Sequence, residues 1–383
     1  MTGLRANLFL VALSLSLLGL VMVYSATYRE FGSHYLFLRA GHLVLGIVAF
    51  FVASRVRYTA WRRYAPGLYL TVIIGLLLVL IPGVGTEVSG ARRWLDLGPI
   101  SLQPGEFAKL ATVLVLSCAV ARVPAGSGLP FRPLVAVGLL FVLVVVEPDF
   151  GTSVVLMAGA AGVLWASDLR TRDLLLSGAA AFVALFGGML LAPYRRERFL
   201  TFLDPWAAAD GSGYQVVQSM IAIKAGGFFG SGAGAGSRGA SVPELGTDMI
   251  FALIGEELGL LGMVAVIAAF GFITLAGFRI SLRAPSVMSR CIAAGLTTMI
   301  AVQAVFNIGA AMVVLPLAGM PLPFISYGGS SLVVCLAAVG ILCRISEDSE
   351  QAKVTEPHVR KPAHPHRRRR YGRARDPRAL RGR

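Results

Sequence analysis

Charged residues are scarce in this sequence. They make up 14% of its 383 residues, whereas soluble domains carry about a quarter, and 56% of the residues are hydrophobic. The mean hydropathy is correspondingly high, at +0.73. Length alone would suggest two or three globular domains, but long uncharged runs recur along the chain at near-regular intervals. The composition therefore excludes soluble enzyme folds and predicts a membrane protein built from spans of roughly 20 residues.

Cysteine and histidine are also rare, with four and five residues respectively. All four cysteines fall in or at the edge of apolar runs, where they are expected to act as small hydrophobic side chains. No cluster of histidine and cysteine has the spacing of a fixed metal site. The sequence thus gives no support to a disulfide framework or a zinc-type centre.

Acidic residues are outnumbered by basic ones, 20 against 35, which gives a net charge of +15. Residues 344–383 hold 13 Lys and Arg against five Asp and Glu, so more than half of the excess lies in the last tenth of the chain. We expect residues 346–383 to form a basic disordered cytoplasmic tail that is attracted to anionic inner-leaflet lipids, or to a protein partner. Nucleic-acid binding ranks third, and no nucleic-acid partner is predicted.

The apolar runs predict ten transmembrane helices, and hence an all-α polytopic membrane domain over residues 1–345. Residues 291–343 carry no charge over 53 positions, which is too long for one helix. The chain must therefore break at the cluster of proline and glycine between 316 and 323. The predicted spans are 8–26, 36–54, 66–83, 107–122, 130–147, 150–167, 174–193, 249–276, 289–313 and 324–343.

Arginines are concentrated in alternate loops of this arrangement. Because basic flanks resist translocation, the loops after even-numbered spans are predicted to be cytoplasmic, and so are both termini. The other face holds nearly all the non-helical sequence of any length, including the large loop 194–248 between helices 7 and 8, so we expect the chemistry there. The connections on that face are 27–35, 84–106, 147–151, 194–248 and 314–323. The arginines of the cytoplasmic loops are Arg55, Arg57, Arg62, Arg63, Arg122, Arg132, Arg170, Arg172, Arg279, Arg283 and Arg290.

Ionisable side chains at span ends are informative, because an unpaired charge at the bilayer centre costs about 2.5 to 3.5 kcal/mol. Glu106 and Lys109 are three residues apart and share a helix face. They could pair with one another, which is the structural alternative to phosphate binding by Lys109. Glu256 and Glu257 are expected to be buried partners of Lys109 or of outer arginines.

Glu244 and Asp248 are four residues apart, where the large loop enters the eighth span. A carboxylate that is half desolvated at the membrane surface is suited to taking a proton from an alcohol. The alternative is that Asp248 is the N-cap of the helix, in competition with Thr247. Spacing alone favours capping.

Five motifs occur in a distinctive order. They are GARRWLDLGPISLQPGEFAKL (90–110), EPDFGT (147–152), RFLTFLDPWAAADGSGYQVVQS (198–219), PELGTDMIFALIGEELG (243–259) and PLPFISYGGSS (321–331). In sequence, order and predicted membrane side they resemble the SEDS family of cell-shape, division and sporulation proteins, over about residues 10–345. The first three motifs are closer to the division members (FtsW), whereas the Met-Pro-Leu-Pro at 320–323 is closer to the elongation members (RodA).

The resemblance implies a ten-span peptidoglycan glycosyltransferase that polymerises lipid II at the outer face of the bacterial cytoplasmic (inner) membrane. The role would be septal synthesis in cell division, with elongation as the alternative. The family's proposed catalytic aspartate lies in a motif that matches Thr247 to Phe251, so it carries over to Asp248 as the general base and reverses the preference for capping. The family commonly has histidine before that threonine, where this sequence has Gly246.

The implied partners are lipid II, a class B penicillin-binding protein acting as transpeptidase, and other divisome or elongasome membrane proteins. Cationic side chains are expected to stabilise the pyrophosphate leaving group. No definite cofactor is predicted. A divalent cation, Mg²⁺ or Mn²⁺, that bridges the phosphates and a carboxylate is an alternative or an addition to these cationic side chains. Gln215 is expected mainly to hold the loop against the bundle. The candidates for substrate binding are Arg92, Arg93, Lys109, Glu106, Arg195, Arg196, Glu244 and Gln215.

Two other classes of function compete with this interpretation. A flippase or ion-coupled carrier predicts paired carboxylates near the bilayer midplane and broken helices in matching halves of the chain. Here the best carboxylates lie at an outer end, and no internal repeat is evident. A non-enzymatic scaffold that recruits a synthase is the third class.

Overall fold

The computed structural model describes residues 2–88, 91–96, 98, 101–191, 193–209, 211, 213–234, 236 and 246–355. Helices dominate, with one small sheet and short 3-10 turns at Tyr58–Ala60 and Trp206–Ala208. The elements are α1 (Thr2–Phe31), α2 (His34–Arg55), α3 (Trp61–Leu80), β1 (Gly85–Val88), β2 (Ala91–Asp96), β3 (Ser101–Leu102), α4 (Pro104–Val120), α5 (Phe131–Val146), α6 (Phe150–Trp165), α7 (Thr171–Leu191), α8 (Pro193–Leu203), α9 (Tyr214–Gly226), α10 (Ile250–Leu282), α11 (Val287–Ala311) and α12 (Gly329–Thr355).

A helix occupies each of the ten segments that the sequence predicts to cross the membrane. In the described part of the chain, seven helical segments are long and apolar enough to do so. The helices α4, α5 and α6 are shorter, with 17, 16 and 16 residues. The polytopic helical architecture is therefore confirmed, whereas the count of ten crossings stays a prediction. The seven segments are Gly3–Arg29, His34–Arg55, Tyr58–Leu80, Thr171–Met189, Ile250–Leu282, Val287–Ala311 and Gly329–Ala352.

A three-stranded antiparallel sheet precedes α4, which the all-α prediction did not anticipate. Its order is β1-β2-β3, with Gly85 opposite Leu95 and Asp96 opposite Ser101. Strands of two to six residues are too short to show a clear alternation in an apolarity profile. The sheet stiffens a connection that the sequence analysis treated as an irregular loop.

The large loop predicted at 194–248 also contains regular structure, namely α8, α9 and the 3-10 turn at Trp206–Ala208. The Ser219 hydroxyl on α9 donates to the Ala311 carbonyl at 2.7 Å, at the end of α11. Ser219 and Ala311 are both fully buried. This contact anchors the loop region to the helical bundle.

The eighth predicted span, α10, is broken at Gly259, which has φ 66° and ψ −163° inside the helix. A β-carbon there would lie 2.4 Å from the Gly230 nitrogen, so only glycine fits. The chain after α9 pairs with the break, with Leu260 N–H donating to Gly227 O and Gly232 N–H donating to Glu257 O, both at 3.0 Å. The backbone groups freed by the kink are thus bonded within the protein, as an apolar environment requires.

Glu257 lies beside this kink and binds the same glycine-rich chain. Its carboxylate accepts hydrogen bonds from the Ser25 hydroxyl on α1 and from the backbone N–H groups of Gly234 and Gly236. The neighbouring Glu256 offers its carbonyl to the Ser231 N–H at 2.9 Å. Glu257 is therefore not a partner of Lys109, which pairs with Glu106 instead. The alternative, that outer arginines neutralise this carboxylate pair, stays a prediction.

The helices α11 and α12 form the centre of the bundle. Their apolar stretches are 67% and 83% buried, whereas that of α7 is 0% buried. Helix α12 packs on α2, and α11 packs on α4, α6 and α10. Small residues allow the close approach: a β-carbon at Gly340 of α12 would lie 2.4 Å from the Phe50 carbonyl oxygen of α2.

The non-helical connections meet at one end of the bundle, which we call the loop end. Arg93 of β2 donates to the Pro148 carbonyl between α5 and α6 at 2.5 Å. The Gln103 N–H donates to the Ser330 hydroxyl at the start of α12 at 2.9 Å. Tyr327 N–H donates to Gly246 O at 2.8 Å. The gathering of these connections agrees with the arginine pattern, although the side of the membrane on which they lie stays a prediction.

At the opposite end, α12 runs past the predicted domain boundary at 345 and ends at Thr355. There Arg344 pairs with Asp348 at 2.8 Å, and Arg5 of α1 pairs with Glu350 at 3.3 Å. The last turns of α12 are therefore bonded to the first helix. The predicted tail lies outside the described residues from 356 onward.

The connection between α11 and α12 breaks in the region that the proline and glycine cluster predicted. Its second half is largely buried and mostly non-helical, so side chains must bond many of its backbone carbonyls. Arg39 of α2, which is 1% exposed, donates to the carbonyls of Phe324 at 2.6 Å and Ile325 at 3.2 Å. A third bond reaches the Gly328 carbonyl at 3.5 Å. One buried guanidinium thus satisfies three carbonyls of the connection.

We expect Arg39→Leu to lower the free energy of unfolding by at least about 2 kcal/mol, because each stranded buried carbonyl costs about 1 to 3 kcal/mol. Arg63→Leu, the same exchange at an exposed position of α3, serves as the control. Thermal unfolding of the purified proteins in detergent measures the effect. Equal melting temperatures for the two variants would contradict the role given to Arg39.

Candidate functional site

Asp248 lies in the turn Gly246–Met249 that leads into α10, and it is half-buried. The helix begins at Ile250, and its N-cap is Met249, which makes no side-chain capping bond. The alternative prediction that Asp248 or Thr247 is the N-cap is therefore wrong. Asp248 thus belongs to the turn that precedes the N-cap.

The carbonyl groups of three consecutive residues in this turn are bound by other parts of the chain. Tyr327 N–H donates to Gly246 O at 2.8 Å, and the Ser326 hydroxyl donates to Thr247 O. The Asn307 side-chain amide of α11 donates to Asp248 O at 2.9 Å. The turn is thus fixed to both α11 and the chain that precedes α12.

Asp248 lies at a shallow, narrow surface cleft, which in this conformation encloses no space large enough for a water molecule. One wall is the face of α11 around Asn307, and the other is the chain from Leu317 to Met320. The same connection that binds the Asp248 turn therefore forms a wall of the cleft. A group that enters the cleft would meet one carboxylate among mainly apolar neighbours.

Arg198 of α8 approaches the same place. A β-carbon at Gly319 would lie 3.5 Å from Arg198 Nη1 and 3.7 Å from Asp248 Oδ2. Gly319 has φ +65°, so the turn favours glycine, and the missing side chain leaves room for both charged groups. Arg198 is exposed, and no ion pair joins it to another residue in the described ranges. The structure thus brings a cation to the rim of the Asp248 cleft.

Arg198 and Asn307 were not among the site residues predicted from the sequence. Arg198 is the first residue of the motif RFLTFLDPW, but the nearby Arg195 and Arg196 were the predicted cations. Helical spacing could have separated Arg198 from Arg196, two positions away, but not from Arg195, three positions away. Asn307 lies in an uncharged apolar stretch that holds two side-chain amides, Gln303 and Asn307, and the sequence gives no indication of their partners.

The predicted cations of β2 already have partners. Arg92 pairs with Glu87 at 3.2 Å on the exposed surface of the sheet. Arg93 donates to the carbonyls of Glu147 and Pro148, and so fixes the sheet to the turn between α5 and α6. Arg93 therefore has a structural partner in this conformation. Phosphate binding by either arginine stays a prediction.

The other loop candidates are placed less fully. Arg196 is exposed on α8, and Gln215 is half-buried in the first turn of α9. The side chain of Arg195 and all of Glu244 lie outside the described residues. Their predicted roles in substrate binding stay predictions.

Glu106 and Lys109 of α4 form a salt bridge at 2.7 Å, and their side chains are only 1% and 2% exposed. The Lys109 ammonium also donates to Gln303 Oε1 of α11 at 2.8 Å. Neither side chain is open to solvent, so the arrangement corresponds to the alternative in which they neutralise one another. The pair fixes α4 to α11 inside the bundle.

Metal-binding side chains do not cluster in the part of the chain that the structure describes, where no group of three His, Cys, Asp or Glu residues could hold an ion. The four cysteines, Cys118, Cys291, Cys335 and Cys343, are free and buried. A divalent cation that accompanies the substrate pyrophosphate stays a prediction.

The sequence matches the family described as "Cell cycle protein" (FtsW/RodA/SpoVE) over residues 5–351. The chain belongs to the FtsW/RodA/SpoVE family. The SEDS resemblance of the five motifs is thereby confirmed, and the match extends along almost the whole membrane domain.

Relatives from several bacteria are similar along most of their length. The probable peptidoglycan glycosyltransferase FtsW of Geobacter metallireducens is 36% identical over 352 residues, which is 88% of this chain and 93% of that protein. The stage V sporulation protein E of Bacillus subtilis is 36% identical over 356 residues, which is 90% of this chain and 97% of that protein.

Solved structures of the family share the fold. A chain of a peptidoglycan synthase complex, in which polymerization and crosslinking are coordinated, superposes with a TM-score of 0.75 at 30% identity and covers 90% of this chain and 98% of that one. The rod shape determining protein RodA of Thermus thermophilus has a TM-score of 0.68 at 28% identity, over 90% of this chain and 96% of that one.

We expect Lys109→Met to destabilise the protein by about 3 to 5 kcal/mol, because it leaves the Glu106 carboxylate buried without its cation. The double variant Lys109→Met, Glu106→Leu should recover most of that loss, since it removes both charges together. Unfolding free energies of the three proteins test the pairing. A double variant that is less stable than Lys109→Met alone would argue against it.

Proposed function

We propose that this chain is a peptidoglycan glycosyltransferase that polymerises lipid II at the outer face of the cytoplasmic membrane. The proposal depends most on one observation, the half-buried Asp248 carboxylate at a cleft of the loop end with the Arg198 guanidinium beside it. Relatives named peptidoglycan glycosyltransferase match along most of the chain and support the same activity.

In the proposed reaction Asp248 acts as the general base. Its carboxylate takes the proton from an acceptor sugar hydroxyl, and the oxygen attacks the anomeric carbon of a second lipid-linked disaccharide. The bond from that carbon to the pyrophosphate oxygen breaks, and polyprenyl pyrophosphate leaves with the electron pair. A single displacement of this kind inverts the anomeric centre. General base assistance typically contributes about 10² to 10⁴ in rate.

Negative charge accumulates on the leaving pyrophosphate, so a cation placed near it lowers the barrier. Arg198 fits this role best among the described arginines, because it is exposed and lies close to the Asp248 carboxylate. A guanidinium presents planar paired donors that match phosphate oxygens. We therefore place Arg198, ahead of Arg92 and Arg93, as the phosphate-binding residue.

The orientation in the membrane follows from the same proposal. The polyprenyl chain stays in the bilayer, and the sugars lie at the outer headgroup level, where the loop end would meet them. The arginine-rich loops and both termini would then be cytoplasmic. We propose that the membrane domain continues through α12, and that the basic tail after Thr355 lies against the inner leaflet.

We propose a role in septal synthesis during division, with a class B penicillin-binding protein as transpeptidase partner. Similar relatives from Geobacter metallireducens and Coxiella burnetii are named FtsW, and one similar structure comes from a complex in which polymerization and crosslinking are coordinated. An elongation role would use the same reaction. Depletion of the protein in cells separates the two, since filaments indicate division and round cells indicate elongation.

We expect Asp248→Asn to lower lipid II polymerisation by about 10² to 10⁴-fold, because the amide cannot accept the proton. Asp96→Asn is the matched control, as its exposed carboxylate only accepts a turn hydrogen bond from Gly98 N–H. The measurement is glycan chain formation on gels by the purified chain with its transpeptidase partner. Wild-type activity in a folded Asp248→Asn protein would exclude Asp248 as the base. Lipid movement across vesicles without polymer would favour a flippase.

We expect Arg198→Ala to reduce polymerisation by about 10² to 10³-fold, the loss typical of one donor to developing negative charge. Arg132→Ala, the same exchange at an exposed position in the first turn of α5, is the control and should change the rate little. Initial rates over a range of lipid II concentrations compare the variants. Equal effects of the two substitutions would remove Arg198 from the site.

A further inference from the structure

We propose that Asn307 of α11 is a positioning residue that holds the Asp248 turn against the opposite wall of the cleft. Its two amide hydrogens donate to the carbonyl of Asp248 at 2.9 Å and to the carbonyl of Met320 at 2.7 Å. An asparagine amide has two N–H donors, and both are used here. The inference rests on the proposed catalytic role of Asp248.

Asn307 is suited to this task because it is fixed itself. It is 2% exposed and lies on α11, one of the most buried helices of the bundle. The Ser286 hydroxyl and Ser289 form a capping box at the start of that helix. Asn307 is thus a short side chain on a well-packed helix, and the Asp248 turn and the connection at Met320 are both bound to it.

The Asp248 turn precedes α10, and its carbonyl groups are bound by other parts of the chain. The carbonyls of Gly246 and Thr247 are held by Tyr327 and Ser326, which lie in the same connection that forms the cleft wall. Those two contacts would let the turn and the connection move as a unit. Asn307 joins both of them to α11 and so defines where the carboxylate lies relative to a substrate.

A fixed carbonyl constrains the carboxylate of the same residue. The hydrogen bond to the Asp248 carbonyl oxygen holds the peptide plane that follows the α-carbon, and so restrains the direction in which the side chain leaves that α-carbon. Misplacing a catalytic group by about 1 Å can reduce the rate about 10²-fold. Substrate binding elsewhere in the site should change much less, so the loss is expected in kcat.

Gln303 offers a matched comparison within the same helix. It lies one turn before Asn307, is 1% exposed, and donates its amide to the Pro321 carbonyl at 2.8 Å and to the Ser331 hydroxyl at 3.3 Å. It therefore binds the same connection with the same chemical group. It makes no hydrogen bond to Asp248.

The test compares Asn307→Leu with Gln303→Leu, using the full chain with its transpeptidase partner and lipid II. We expect Asn307→Leu to lower kcat about 10²-fold with KM within about threefold. Gln303→Leu should keep kcat within about threefold of the wild-type value, even if its melting temperature falls as much as that of Asn307→Leu. If Asn307→Leu does not fold, Asn307→Ala replaces it.

A double variant separates positioning from a general loss of stability. If Asn307 acts through Asp248, adding Asn307→Leu to Asp248→Asn should change the residual rate less than about twofold. A further drop of about 10²-fold, an unchanged kcat in Asn307→Leu, or an equal loss in Gln303→Leu would overturn the inference. Wild-type activity in Asp248→Asn would instead contradict the proposed function itself.

Discussion

The structure depends on satisfying the backbone of one irregular segment, the connection between α11 and α12. This chain lies among apolar helices, where each unbonded carbonyl would be costly. Arg39 binds three of its carbonyls from α2, while Gln303 and Asn307 bind two more from α11. These side chains bond carbonyls that the non-helical backbone of the segment leaves without helical partners.

The same constraint produces the candidate site. The connection uses Ser326 and Tyr327 to bind the turn that carries Asp248, and its earlier residues form a wall of the cleft. The absence of a side chain at Gly319 then leaves space for Arg198 beside the carboxylate. The hydrogen bonds that satisfy the connection between α11 and α12 therefore also bring Asp248 and Arg198 to one cleft.

The architecture could be predicted from the sequence where a feature of the fold is visible within one continuous stretch of residues. Uncharged length identified the helices, and the break within 291–343 followed from that length and its prolines. Asp248 was identified as catalytic only through the family resemblance, since spacing favoured a cap. The kink at Gly259, the small sheet, Arg198 and Asn307 were not predicted, because each depends on contacts between segments far apart in the chain.

The central claim is that Asp248 lines a cleft open to the outer side of the membrane. The most direct measurement is labelling of an Asp248→Cys variant in intact cells with a membrane-impermeant maleimide, with Arg57→Cys as the cytoplasmic control; the four native cysteines are buried. The account predicts that position 248 is labelled from outside, that added lipid II slows the labelling, and that position 57 is not labelled. Labelling of position 248 only after the cells are opened, or at a rate unaffected by lipid II, would contradict it.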